Sequence, residues 1–258
     1  MSPEEILKTA KNAGVSVLAI TDHDVLDGSR ELLRLAEDYD INCISGVELD
    51  VVEQGVNFHV LAYNIDLNNH KLITMAKRNE ILLEKVNELL ILKIANERNG
   101  VSLNEYKDFN YDRRLGGWKA LHYFKYKGLT EELYQGISIY LQYNHRYDCV
   151  KFPEMKEVCN IIHNAGGKAI LAHPGRIIKT DKSIEFKNIL KSLISKGIDG
   201  IECYYPSHTK EITDTCKEVC RQHDLIKTAG SDCHGDFEDT IIGQLKTKID
   251  EINILKLI

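Results

Sequence analysis

The sequence is short of several things, and each shortage narrows what the chain does. No apolar run approaches the roughly 20 residues needed to cross a bilayer. The opening Met1-Ser2-Pro3-Glu4-Glu5 is acidic and has neither the basic nor the apolar region of a signal peptide, so the expected compartment is the cytoplasm. The seven cysteines, at 43, 149, 159, 203, 216, 220 and 233, are odd in number and scattered, with no C-x-x-C. That argues against a disulfide framework or a cysteine zinc site and for reduced thiols, most of them small core residues. Positive charge is not in excess either. Lys and Arg total 33 against 39 Asp and Glu, a net charge of −6, which argues against an extended nucleic-acid face built on clustered cations. A small phosphorylated substrate held through a metal remains open. There is no Pro/Ser-rich linker, low-complexity tract or obvious internal repeat. Gly116-Gly117 and Gly166-Gly167 fit neither a Rossmann nor a P-loop pattern and read as turns, and no Ser–His–Asp order competes.

What is present is a globular composition, 43% hydrophobic and 28% charged over 258 residues, which sets a prior of one or two domains. Ser2-Pro3-Glu4-Glu5 reads as a capping box with proline at the first helical position, and Gly14 stops the helix that follows. Residues 15–20 are an apolar, β-branched run suited to a buried strand. A helix is predicted near 29–39, and strands near 41–44, 47–52 and 58–63. Toward the C-terminus, helices near 154–164, 184–195 and 210–223 lead to strands near 169–172, 198–201 and 226–229. Repeated helix-then-strand units predict a parallel sheet with right-handed crossovers, closed into an α/β barrel. Between residues 70 and 147 the periodicity is helical throughout, near 75–97, 119–127 and 131–143. The expected division is a barrel of residues 1–69 and 148–258 with a helical insertion or cap of residues 70–147. The oddity is that a parallel barrel normally opens on a strand, and this chain opens on a helix.

Polar residues gather where the predicted strands end. Thr21-Asp22-His23-Asp24 ends the first, Gly46-Val47-Glu48 ends the second and His59 lies at the head of the third. Ala172-His173-Pro174-Gly175-Arg176 follows a later strand, then Glu202 with Tyr205-Pro206-Ser207-His208, and finally Ser231-Asp232-Cys233-His234-Gly235. In α/β barrels the carboxyl ends of the strands carry the active site. Separate histidines and carboxylates brought to one rim suit divalent transition metals, and a carboxylate can bridge two ions. Any one of these residues has a plain structural reading, as a hydrogen-bonding histidine, a helix cap or a surface ion pair. Together they do not, because scattered core histidines have no reason to fall at strand ends. His70, His122, His145, His163 and His223 lie in predicted helices or loops and read as structural or solvated.

Taken in order, Thr-Asp-His-Asp, Gly-Val-Glu with His59, Ala-His-Pro-Gly-Arg and Ser-Asp-Cys-His resemble the motifs of the PHP (polymerase and histidinol phosphatase) superfamily. The resemblance runs nearly the whole chain, weakest across the helical stretch. It is nearest to the branch of metal-dependent phosphoesterases that includes nucleoside 3′,5′-bisphosphate and AMP phosphatases. It implies a distorted (β/α)7 TIM-like barrel with up to three Mn, Fe or Zn ions. Glu48 would bridge two metals, with His59 and His173 completing the second metal's shell. Asp232 would serve the first metal, and His23 and His234 the third. Arg176 would hold the substrate phosphate, and His208 lies at the position of a further site residue. Asp22, Asp24 and His208 are the candidate proton handlers or residues that orient ligating histidines.

Two departures qualify the resemblance. The family's His-x-His, followed by Ser-Asp-Gly, is absent; the chain begins just after it, so a first strand is expected to be missing and one or two ions to bind rather than three. The Gly-Arg-Pro-His of relatives' insertions has as its nearest counterpart Gly117-Trp118-Lys119-Ala120-Leu121, leaving Lys119 as a candidate phosphate contact beside the reading of a solvated lysine. The expected function is hydrolysis of a small, nucleotide-like phosphoester by metal-activated water. The alternatives are a degenerate barrel that binds metal, phosphate ligand or a partner chain without turnover, and, more weakly, a metal-dependent amidohydrolase. An exposed sheet edge would invite a homodimer. No membrane partner is expected.

Overall fold

In the computed structural model, which describes residues 1–253 and 256, the first helix forms as its sequence dictates. Ser2 Oγ accepts from the Glu5 N–H and Glu5 Oε2 accepts from the Ser2 N–H, so both halves of the capping box are made at the start of α1 (Pro3–Asn12). Leu7 and Ala10 turn inward from α1 and pack with Leu32 of α2 (Asp27–Leu35), Ile20 and Ile41 in a small core of their own.

The strands are β1 (Val17–Leu18), β2 (Asn42–Cys43), β3 (Gly46–Glu53), β4 (Val56–Tyr63), β5 (Lys168–Leu171), β6 (Gly200–Tyr204) and β7 (Ile226–Ala229). They do not make the closed parallel barrel the sequence predicts. Among the described residues they form two sheets, β1-β2 and β3-β4-β5-β6-β7. The smaller sheet is parallel, whereas in the larger one β4 runs antiparallel to both β3 and β5. The reason is local. Only Gln54 and Gly55 separate β3 from β4, and both have positive φ (51° and 77°), the geometry of a primed two-residue hairpin turn. A hairpin that tight forces antiparallel pairing. The expected helix-then-strand rhythm holds for the parallel pairs β5-β6 and β6-β7. The two sheets meet through a single parallel bridge between His23 and Glu48, where the Asp24 N–H donates to the Glu48 carbonyl at 2.8 Å.

The main core lies between the larger sheet and α7 (Met155–Asn164), α9 (Ser183–Ile194) and α10 (Lys210–Gln222). The segment between β4 and β5 is helical, as expected. It holds α3 (His70–Glu97), α4 (Leu103–Asp108), α5 (Lys119–Tyr126) and α6 (Gly136–Gln142). α3 starts five residues before the apolar periodicity predicts, because Asn69 Oδ1 caps the Lys71 and Leu72 N–H groups at 3.1 Å. α6 starts later than predicted, because the Gln135 side chain accepts from the Glu131 and Glu132 N–H groups and holds a turn there. These helices share a second core rich in aromatics, and Phe237, from the loop after β7, is buried in it. A short helix not foreseen in the sequence, α8 (Pro174–Ile177), follows β5.

Candidate metal centre

Alternation along β3 puts Glu48 and Asp50 on one face, and the register sets His59 of β4 directly opposite Asp50. β5 delivers His173 to the same place at its carboxyl end. His59 Nδ1 lies 2.9 Å from Glu48 Oε1, His173 Nε2 lies 3.1 Å from the same oxygen, and the two ring nitrogens are 3.2 Å apart. The other carboxylate oxygen, Oε2, faces His23 Nε2 at 3.8 Å. Glu48 and His173 are each only 3% exposed. Burial alone would raise the Glu48 carboxyl. The charge of His23 and the hydrogen bonds from His173 and His59 outweigh it and hold Glu48 well below the usual carboxylate range. Burial works against the charged form of His59, but hydrogen bonds to Asp50 and Glu48 carry its imidazole well above the ordinary histidine value.

A second group lies beside the first. Asp232, His234 and Glu238 offer ligand atoms within 4.8 Å of one another, and the His234 and His23 rings stack at 6.4 Å. Arg176 Nη1 donates to Asp232 Oδ2 and to Tyr205 Oη, each at 2.8 Å, while Nη2 donates to Glu238 Oε1 at 2.9 Å. His23, His59 and His173 line one cleft of about 2040 Å³ together with Asp232, His234 and Glu238.

A family model, the PHP domain, matches residues 1–255. The chain belongs to the PHP family. It is 27% identical over 238 residues to a 5′-3′ exoribonuclease from Haemophilus influenzae, covering 91% of this chain and 85% of that protein. It is 23% identical over 240 residues to a 3′,5′-nucleoside bisphosphate phosphatase from Chromobacterium violaceum, covering 92% and 84%. A Bifidobacterium adolescentis chain assigned to the metal-dependent phosphoesterases superposes with a TM-score of 0.80 at 21% identity, covering 99% of this chain and 90% of that one.

The donors of this PHP chain fit a divalent ion. Ligands at about 2.0–2.1 Å in a tetrahedral shell stand about 3.3 Å from one another. The Glu48, His59 and His173 atoms, separated by 2.9, 3.1 and 3.2 Å, are close to that spacing. His173 sits at φ 25°, Asp24 at 53° and Asp232 at 51°, left-handed conformations that single histidines and aspartates adopt at modest cost and that concentrate at functional sites.

The remaining candidates divide. Asp22 is packed against Gly28, where a Cβ would collide with its carboxylate, and burial raises its pKa. Asp24 is 4% exposed; burial and then the neighbouring Asp50 charge push it well up. Its Oδ1 accepts from Asn79, so it lies behind the metal donors rather than among them. His208 has both ring nitrogens on the backbone: Nε2 accepts from the Gly175 N–H at 3.1 Å and Nδ1 faces the Cys203 carbonyl at 3.0 Å. Burial lowers its pKa, so a neutral ring braces the His-Pro-Gly-Arg loop. Lys119 lines the cleft, but its ammonium lies 3.0 Å from the Lys107 carbonyl and 3.4 Å from Glu84, over the Tyr106 ring.

Sequence reasoning passed over Asp50, Asn57, Asn79 and Glu238, and named Glu202 without a role. Glu202 Oε2 accepts the His173 N–H at 2.9 Å, and burial, followed by the Asp232 charge, raises its carboxyl well up. The alternation Glu48-x-Asp50 was a usable signal for Asp50. Nothing local pointed to Asn79. Gly116 and Gly117, read as a simple turn, are close-approach positions. Both have positive φ, and a Cβ on Gly116 would meet the His234 carbonyl and the Phe237 side chain at 2.7 Å.

Proposed function

We propose that the chain is a metal-dependent phosphoesterase that hydrolyses a small, nucleotide-like phosphoester. The observation that carries this reading is the convergence of Glu48 Oε1, His59 Nδ1 and His173 Nε2, with the second Glu48 oxygen turned toward His23. Glu48, His59 and His173 would hold one ion, and Asp232, His234 and His23 would hold others; Mn, Fe or Zn all suit such donors. A divalent ion bound there supplies Lewis-acid charge for a phosphoryl oxygen and for activation of water. Arg176 stands at the edge of the donors with its guanidinium fork in the cleft and suits a phosphate contact. Asp22, on the cleft wall beside His23, is a candidate to take or give a proton there. His208 and Asp24 act through the groups they hold. The acidic balance of the chain favours a nucleotide-sized substrate over a long strand, although three relatives are 5′-3′ exoribonucleases.

The test is metal analysis of the purified protein together with hydrolysis of p-nitrophenyl phosphate, nucleoside monophosphates, 3′,5′-bisphosphates and a 5′-phosphorylated oligoribonucleotide. One or two ions per chain and turnover of the mononucleotides are expected. Bound metal with all phosphoesters inert would overturn catalysis, and preference for the oligonucleotide would overturn the substrate class. Cleavage of amides or lactones with phosphoesters untouched would select the amidohydrolase reading.

A second reading, binding of metal or phosphate ligand without turnover, is favoured by one observation. The Arg176 guanidinium is already engaged by Asp232, Glu238 and Tyr205, so the phosphate contact and the second metal group neutralise each other. Metal binding that leaves phosphate affinity unchanged and gives no hydrolysis would select it.

A further inference from the structure

The His59 ring is held at both nitrogens. Nδ1 faces Glu48 and His173, the proposed ligands; Nε2 faces away, 3.2 Å from Asp50 Oδ1. Asp50 is fixed in turn. Asn57 Nδ2 donates to its Oδ1 at 3.3 Å, and its backbone N–H donates to Asp24 Oδ1 at 3.4 Å. Asn79, fully buried on α3, donates from one Nδ2 to Asp24 Oδ1 at 2.8 Å and to the Asp50 carbonyl at 2.9 Å. Hydrogen bonds therefore run from α3 to the Asp24 carboxylate and the Asp50 backbone, and the Asp50 carboxylate stands 3.2 Å from the ring nitrogen opposite the proposed ligand atom, with Asn57 Nδ2 also 3.2 Å from that nitrogen.

We infer that Asp50 is a positioning residue for His59: it accepts the Nε2–H, so that Nδ1 presents its lone pair to the ion, and Asn79 with Asp24 holds Asp50 in place. This rests on the reading of Glu48, His59 and His173 as metal donors. An imidazole ligand whose second N–H is given to a carboxylate is fixed in tautomer and made more basic, and loss of such a partner typically costs 10–100-fold in metal affinity. Placing Asp50 two residues from Glu48 on the same strand lets one rigid element carry a ligand and the group that orients its neighbour. The Asn79 anchor ties that geometry to helical packing far away in sequence.

The experiment is calorimetric titration of the metal-free protein with zinc alone, with imidazole nitrogen NMR of the zinc-loaded protein. For Asp50→Ala the expected result is about 10–100-fold weaker zinc binding and loss of the zinc-on-Nδ1 signature of His59. Asp50→Asn keeps an acceptor at similar volume and is expected to recover the signature and most of the affinity. In a His59→Ala background, Asp50→Ala is expected to cost no further affinity, which a merely structural role would not produce. Asn79→Ala is expected to weaken zinc binding less than Asp50→Ala. Should Asp50→Ala fail to fold, Asp50→Leu, close to Asp in volume and without an acceptor, takes its place alone and in the His59→Ala background, with the same outcomes expected. Zinc binding abolished by His173→Ala but unchanged in affinity and signature by both Asp50 variants would overturn the positioning role alone. No zinc binding in the unaltered protein would overturn the metal reading and this inference with it.

Discussion

The strand-end wall and the helical stretch between β4 and β5 bury different things. The wall takes Asp24, Glu48, Asp50, His173 and Glu202 out of water, each at 4% exposure or less. The helices bury Leu90, Ile91, Ile94, Tyr106 and Phe124, and their ion pairs, such as Lys77 with Glu80 and Lys125 with Glu132, stay outside. Exposed pairs of that kind contribute at most about 1 kcal/mol. A buried carboxylate is costly unless paired and hydrogen-bonded. A fold selected for stability alone would have filled both regions as it filled the second. Concentration of the costly groups on one wall is what nominates it as the proposed site, with the helices as its scaffold. The regions touch at a few points: Asn79 reaches the carboxylates, and Phe237 carries the Asp232–Glu238 loop into the aromatic core.

The largest effect expected of this contrast comes from the wall. His173→Ala should remove the ion held with Glu48 and His59, and lower phosphoester hydrolysis by at least about a hundredfold. Metal content beside turnover checks it; unchanged metal content would remove the basis of the ligand assignment. Next is the scaffold. Leu90→Ala should cost about 2–5 kcal/mol in urea unfolding, as a cavity in a packed core does, and leave metal content unaltered. A loss of metal from that change would dissolve the distinction between wall and scaffold.

The third expectation concerns pH. Glu202 has a folded pKa raised above its unfolded value, first by burial and then by the Asp232 charge. Its contribution to stability is therefore full below the ordinary carboxyl range and is lost as pH rises through the raised value. Glu202→Gln keeps an acceptor for the His173 N–H and cannot ionise. In the metal-free protein its melting temperature should gain on that of the unaltered chain as pH rises from 5 to 9. A gap that stays constant with pH would mean that Glu202 is ionised throughout. The smallest effect is expected at Lys119. Lys119→Met removes a cation over the Tyr106 ring at 4.6 Å and a 3.4 Å contact to Glu84, together about 0.5–1 kcal/mol. KM for substrate should not move; a severalfold rise would make Lys119 a phosphate contact and draw the helices into the site.

Much of the wall was legible in the sequence. Histidines and carboxylates in the order of a family's motifs were enough to nominate Glu48, His59 and His173, although Glu48 and His59 lie within β3 and β4 rather than at strand ends, because the hairpin lengthened both strands. The capping box of α1 and the helical character of the stretch between β4 and β5 were legible because short-range spacing sets them. The closed parallel barrel was not what formed. The two-residue Gln54-Gly55 turn sets β3 against β4 in opposite directions, and the strands then settle into two sheets joined at His23 and Glu48. Other features had no local signature at all. The choice of Asp232 and Glu238 as partners of Arg176, the use of His208 Nε2 on the Gly175 N–H, and the reach of Asn79 to Asp24 join groups 33 to 62 residues apart. By itself the sequence nominated candidate ligands and determined which segments wind or extend, since both follow from side-chain type and short-range spacing. Only the tertiary structure decided which of those groups meet, because a buried polar atom takes whichever partner the packing of distant elements brings within reach.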